Sequence, residues 1–163
     1  MAEVIYEERL FSRWITLILG GGTLFILWQA VEQLQTGSSD GAPFWLMPAM
    51  GVLFVALTVN FAWLAIRITN EEVVVSYGLL RHRVRWHDIE DCYADEASAT
   101  WYGGYGIRVG WYAGKRRLIY NTIGDPRVVL LTGRPSTPEF VFSTAQPEEV
   151  IRTVSGRLRL ERR

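Results

Sequence analysis

Charged side chains are missing from two stretches early in the chain, residues 14–31 and 42–66. The first holds eighteen residues and the second twenty-five. A bilayer core of about 30 Å needs roughly 20 apolar helical residues to cross it, so both stretches read as membrane helices. The polar, Gly/Ser-rich residues 32–41 between them are few, which predicts an antiparallel hairpin. After residue 66 the pattern changes to short alternating runs broken by turn residues, the signature of strands. Strands are expected over 66–68, 73–77, 81–86, 92–94, 105–111, 117–121, 127–132 and 139–143, with 95–104 a loop and Ala113-Gly114-Lys115 a hairpin tip. The period then lengthens. Ser143 and Thr144 followed by Pro147, Glu148 and Glu149 mark a helix start, with a capping hydroxyl, proline in the first turn and acids at the positive dipole end. Val150, Ile151, Val154 and Leu158 fall on one face of that helix, so it packs on the sheet.

The run Ile68-Thr-Asn-Glu-Glu-Val-Val-Val-Ser-Tyr-Gly-Leu-Leu-Arg-His-Arg-Val-Arg-Trp-His-Asp-Ile89 resembles the opening of bacterial pleckstrin-homology-like (PH-like) domains in small membrane proteins. Gly103-Gly-Tyr-Gly-Ile-Arg108 and the closing Phe142-Ser-Thr-Ala-Gln-Pro-Glu-Glu-Val150 are similar to the same family. The resemblance implies a mainly β PH-like barrel of about seven antiparallel strands with a C-terminal helix, held by paired membrane helices. It implies no activity. The expected organisation is a cytoplasmic segment 1–13, a transmembrane hairpin 14–66 and a cytoplasmic PH-like domain 67–163.

Charge sets the expected orientation. Arg9, Arg13 and Arg67 flank one end of the hairpin, and the intervening turn carries no Lys or Arg. The positive-inside rule then places both termini in the cytoplasm of a multi-pass protein of the cell membrane. Trp14 and Trp63 fall at the inner interface, Trp28 and Trp45 near the outer one. A cleaved signal peptide does not fit, because Glu3, Glu7 and Glu8 make the leading flank acidic and no small-x-small site precedes the second stretch. Net charge is zero overall, but residues 67–163 carry fifteen basic side chains against twelve acids. That excess is too small for a nucleic-acid face.

Within the hairpin, Gly20, Gly21 and Gly22 lie at a depth similar to Asn60, and small residues with a polar partner form a helix-packing seam. The seam would hold the hairpin together or join it to another copy or another membrane protein. In the soluble part, Leu79, Leu80, Arg81 and Arg83 follow a turn expected to return toward the bilayer, with Asn70, Glu71 and Glu72 at the far end. Lys115, Arg116 and Arg117 form a second basic cluster, which could touch lipid or protein.

Reactive chemistry is sparse. The turn Gly103-Gly104-Tyr105-Gly106 lacks the Lys-Ser/Thr of a phosphate loop and leads into a strand, so Arg108 reads as its brace. His82, His87 and Cys92 are spaced by fives and do not converge as metal ligands, and one cysteine permits no disulfide. Ser143, Asp88 and a histidine lack a nucleophile elbow. The chain is therefore read as a non-enzymatic interaction module without metal or cofactor. Its expected partners are membrane lipids and a membrane or cytoplasmic protein, the latter bound at an open sheet edge or beside the last helix. Anionic-lipid sensing and a subunit role in a larger membrane complex are the alternative readings.

Overall fold

The computed structural model describes residues 3–37, 43, 45–97 and 104–161. Strand β1 (Val4–Phe11) leads directly into helix α1 (Arg13–Thr36), helix α2 (Leu46–Phe61) returns, and β2 (Trp63–Thr69) resumes beside β1. Next come β3 (Glu72–Tyr77), β4 (Leu80–Arg85), a single 3-10 turn (Trp86–Asp88) and β5 (Ile89–Ala94). The chain closes with β6 (Gly106–Tyr112), β7 (Lys115–Asn121), β8 (Arg127–Thr132), β9 (Glu139–Ser143) and α3 (Pro147–Glu161).

These nine strands make two sheets rather than one barrel of about seven. The first has the order β1-β2-β3-β4 and the second β5-β8-β9-β7-β6, with no closure between them among the described residues. Two local facts overturn the barrel. The 3-10 turn hands the chain from one sheet to the other, and the Trp86 indole fixes it by donating to the Thr69 carbonyl at 2.9 Å. In addition, β9 inserts between β8 and β7 and runs parallel to β7, so the strands are not all antiparallel.

The boundaries move as well. The apolar run to residue 66 does not end a helix, because α2 stops at Phe61 and residues 63–69 are strand. Their alternation explains it: Leu64, Ile66 and Ile68 are fully buried while Trp63, Ala65 and Arg67 face outward. The first residues are not a detached segment either. β1 pairs with β2 from Val4 opposite Thr69 to Phe11 opposite Trp63, and only its Leu10 is buried, which hides it from a hydrophobicity reading. Its inward Glu8 instead accepts hydrogen bonds from Tyr6 (2.9 Å), the Thr144 hydroxyl (2.6 Å) and the Ala145 amide (2.8 Å). The acid thereby ties β1 to the turn that starts α3.

The core lies between the sheets, with Ile66, Val75, Tyr77 and Val84 on one side and Leu130, Phe140 and Phe142 on the other. Val150, Val154 and Leu158 of α3 complete it, and α3 closes the sandwich between edge strands β1 and β5. The opposite margin, with edge strands β4 and β6, has no such cover among the described residues.

Among the described residues, one helix, α1, is long and apolar enough by length and composition to cross a membrane. The 16-residue α2 is apolar but shorter. Both are hydrophobic around their circumference, and they are covered by little besides each other: Leu24 and Val52 are each 71% exposed. A helix inside a soluble core would show the reverse.

Candidate membrane-proximal site

The helices meet the sheets at a junction held by named bonds. The Ser12 amide donates to the Ala62 carbonyl at 2.8 Å, closing the base of the hairpin. The Tyr77 hydroxyl lies 3.3 Å from the Ser12 hydroxyl and donates to the Asn121 carbonyl at 2.9 Å. One side chain thus links the start of α1, the first sheet and the end of β7. Burial pushes the Tyr77 phenol up to about 12, so it stays protonated and able to donate. The Phe61 ring, at the end of α2, packs 5.4 Å from it.

Asn60 does not meet Gly20, Gly21 and Gly22. Its Oδ1 accepts the Leu79 amide at 2.8 Å, capping the β3–β4 turn from the last turn of α2. Gly78 in that turn has φ +50°, and a Cβ there would lie 2.4 Å from Asn60 Oδ1 and 2.8 Å from the Asn60 carbonyl oxygen. Of the three glycines, only Gly22 lies on the helix seam. Gly22 faces Phe54, Gly51 faces Leu27, and the Thr23 and Thr58 hydroxyls lie 3.3 Å apart, while nothing approaches Gly20 or Gly21. We expect Gly78→Ala to destabilise the full chain by about 1–3 kcal/mol, since it meets both a left-handed φ and a clash. Asn60→Ala should cost about 1 kcal/mol, the worth of one hydrogen bond. The double variant should cost less than the sum, because only the side-chain half of the clash is removed. Denaturation in detergent measures all three, and strict additivity would contradict the contact.

Asn60 thereby fixes the Gly78-Leu79-Leu80 turn at the helix ends. Leu79 is 89% exposed there. Phe11 and Trp63 pair across the adjoining strands with ring centroids 5.2 Å apart, and exposed Trp14 follows at the start of α1. The junction therefore wears an apolar and aromatic collar, suited to the bilayer interface.

Next to the collar, the outer face of the first sheet forms a groove of about 810 Å³. Its walls carry Arg9, Arg67, Arg81 and Arg83 against Glu7 and Glu72. Glu7 accepts Arg67 at 3.1 Å and Arg9 at 3.5 Å; the Arg67 hydrogen bond, then its charge, hold the Glu7 carboxyl below the usual range. Arg83 lies 3.8 Å from Glu72.

The second basic cluster separates into unlike parts. Lys115 reaches Glu139 at 3.2 Å from an exposed position, and Arg116 is exposed. Arg117 is buried, which excludes it from a lipid surface. It pairs with Glu139 and Asp95 beneath the Tyr112 ring, and Asp95 also holds Arg127 at 2.8 Å. An alternating strand shows this cluster only once the facing acids are known. The hairpin tip also lies about 20 Å along β7 from Asn121, the residue that touches the junction.

The remaining sequence candidates fall into structural roles. Arg108 donates to the Tyr105 carbonyl at 3.1 Å and packs on Gly104, bracing that turn; Gly103 lies outside the described residues. The Ser143 hydroxyl accepts the Thr122 amide, and the Thr144 hydroxyl accepts the Gln146 amide in the turn ahead of α3, so neither hydroxyl caps the helix itself. Cys92 is buried in the core, which pushes its thiol up to about 12. His87 is exposed beside Asp88 at 3.3 Å. No group of three metal-ligating side chains occurs among the described residues.

His82 lies inside the β4 margin, 4.5 Å from the Phe140 ring. Burial first, and the Arg134 charge second, lower its pKa from 6.5. The unfolded chain thus binds this proton at a higher pH than the folded one. The associated stability is complete above about pH 6.5 and is lost as pH falls toward the folded value. Urea titrations of His82→Leu should show a smaller loss between about pH 7.5 and about pH 5 than the natural chain. An equal loss would exclude His82 as the source.

No family model matches the chain, and neither a curated protein nor a solved structure matches it.

Proposed function

We propose that this chain is a two-pass membrane protein with both termini in the cytoplasm, whose β-sandwich acts as an interaction module rather than a catalyst. One observation carries the two-pass reading: β1, before the helices, pairs along its length with β2, after them. A single crossing by α1 would put these strands on opposite sides of the bilayer, where no ladder could form. The 16 residues of α2 rise about 24 Å and the uncharged part of α1 about 27 Å, so the two match each other and a slightly thinned bilayer. Arg9, Arg13 and Arg67 at the sheet end, against a turn without Lys or Arg, support the cytoplasmic side.

The margin left open opposite α3 is the surface for a protein partner. Among the described residues, edge strand β6 pairs only with β7 and displays Val109 and Trp111 on one face, 54% and 67% exposed. A free backbone edge with alternating apolar side chains is the geometry that captures an extended segment by strand addition. The polar groups of the second sheet are bound into the fold: Arg117 to Asp95 and Glu139, Ser143 to an amide.

A photocrosslinker at Trp111 of the full chain, in native membranes, should yield one discrete adduct that Val109→Lys abolishes. The same probe at Arg152 on α3 should yield none. Equal labelling at both positions, or no adduct, would discard the module reading. A reporter fused to the C-terminus should be active only in the cytoplasm; activity on the other side would overturn the orientation.

A further inference from the structure

The groove on the first sheet has an ordered floor. Strand register places Arg9 opposite Ala65, Ala65 opposite Ser76 and Ser76 opposite Arg81, so these four form one row across the sheet. The middle pair are the small residues and the outer pair the cations. With strands about 4.8 Å apart, the two arginine backbones stand roughly 14 Å apart over a low floor, within joint reach of one small anion. Ser76 lines the same space. Two residues toward the helices, about 7 Å away, is the row of Phe11 and Trp63. On the other side, Glu7, Arg67, Val74 and Arg83 form the next row.

Charge singles out the Arg9–Arg81 row. Glu7 is shared by Arg67 and Arg9, its closer bond going to Arg67, and Arg81 has no ion pair among the described residues. With four arginines against two glutamates, the groove is net cationic, and Arg81, without an ion pair among the described residues, lies in the row nearest the collar.

We infer that Arg9 and Arg81 clamp the phosphate of an anionic phospholipid over the Ala65–Ser76 floor. This rests on the two-pass reading, which sets the Phe11–Trp63 row at the interface and so brings the arginine row to headgroup depth. The occupant is the lipid of the same bilayer: the groove adjoins the collar, and its charge is complementary to that of an anionic leaflet. Guanidinium groups suit phosphate because they offer paired donors in a fixed fork. The site differs from a general basic attraction in predicting that position matters, not total charge.

The test uses the full chain in nanodiscs that mix phosphatidylcholine with phosphatidylglycerol, and reads by native mass spectrometry the ratio of the two lipids retained. The natural chain should retain phosphatidylglycerol preferentially. R9Q/R81Q should lower that ratio about thirtyfold, equivalent to about 2 kcal/mol at 1.4 kcal/mol per decade, from two surface cations. Ala65→Glu, which supplies a carboxylate to the same arginines, should lower it as well with the cations still in place. R152Q/R159Q removes the same charge from α3 and should leave the ratio unchanged. An unaltered ratio in R9Q/R81Q, or an equal fall in R152Q/R159Q, overturns the site. Alkali extraction separates the two readings. Release from the bilayer defeats the two-pass reading itself, whereas retention without headgroup preference defeats only the lipid site.

Discussion

Removing the helices should leave a folded, soluble body. Phe11 and Trp63 are paired directly across β1 and β2, and the Ser12 amide already donates to the Ala62 carbonyl at 2.8 Å. Residues 13–61 can therefore be replaced by a two-residue Asn-Gly turn, which suits the twist of an antiparallel pair. We expect this shortened chain to run as a discrete species in gel filtration and to melt cooperatively. The fragment 67–163 should not fold. It lacks β1 and most of β2, removing buried Leu10, Leu64 and Ile66 from the core. Each such side chain contributes about 1.5–3 kcal/mol by burial, and together they approach the whole stability of an ordinary domain, about 5–15 kcal/mol. The fragment also loses Glu8, and with it the bonds to Thr144 and Ala145 at the start of α3. The exposed Phe11–Trp63 pair persists in the shortened chain, so a mild detergent control separates aggregation through that pair from failure to fold. A cooperative melt from 67–163, with none from the shortened chain, would refute the interleaved arrangement.

Arg117→Met should be the most damaging single polar substitution in the second sheet, at about 3–5 kcal/mol. Arg117, Asp95 and Glu139 are nearly inaccessible, with side chains 5%, 2% and 2% exposed. Taking away the cation leaves buried Glu139 facing the half-exposed Lys115, and buried Asp95 facing Arg127. The cost arises mainly from the stranded carboxylates, not from the attraction lost. Arg117→Met combined with Glu139→Gln should accordingly be less destabilising than Arg117→Met alone. Urea denaturation of the four chains in a double-mutant cycle measures the coupling. Additive losses, or a loss under about 1 kcal/mol for Arg117→Met, would show that the cluster is hydrated and weak.

Both predictions depend on features that differ in how far the chain displays them locally. The apolar character of α1 was legible because each residue carries it separately, so the missing charge over 14–31 is enough; the end of α2 was not, because residues 63–66 continue the apolar run as strand. The amphipathic α3, the Gly78 turn and the Arg108 brace were legible for a similar reason: each is settled within a few residues. Strand β1 was not, because two glutamates and an arginine mask its alternation and its inward acid is satisfied by residues 144 and 145. The site divides the same way. Turn spacing was enough to bring Leu79, Leu80, Arg81 and Arg83 back toward the helix ends. Arg9 could not, because its partnership with Arg81 runs through three strand pairings. Asn60 could be recognised as needing a partner, but not that the partner is the Leu79 amide.

The sequence by itself therefore determined an apolar hairpin, a β body and a closing helix, since burial preference and turn chemistry are properties of short windows. Only the tertiary structure decided that β1 and β2 enclose the hairpin and that β9 separates β8 from β7. It likewise decided that Arg117 is buried while Arg81 faces outward. Strand order and side-chain partnership depend on contacts between distant residues, and many pairings satisfy the same alternation until the core selects one.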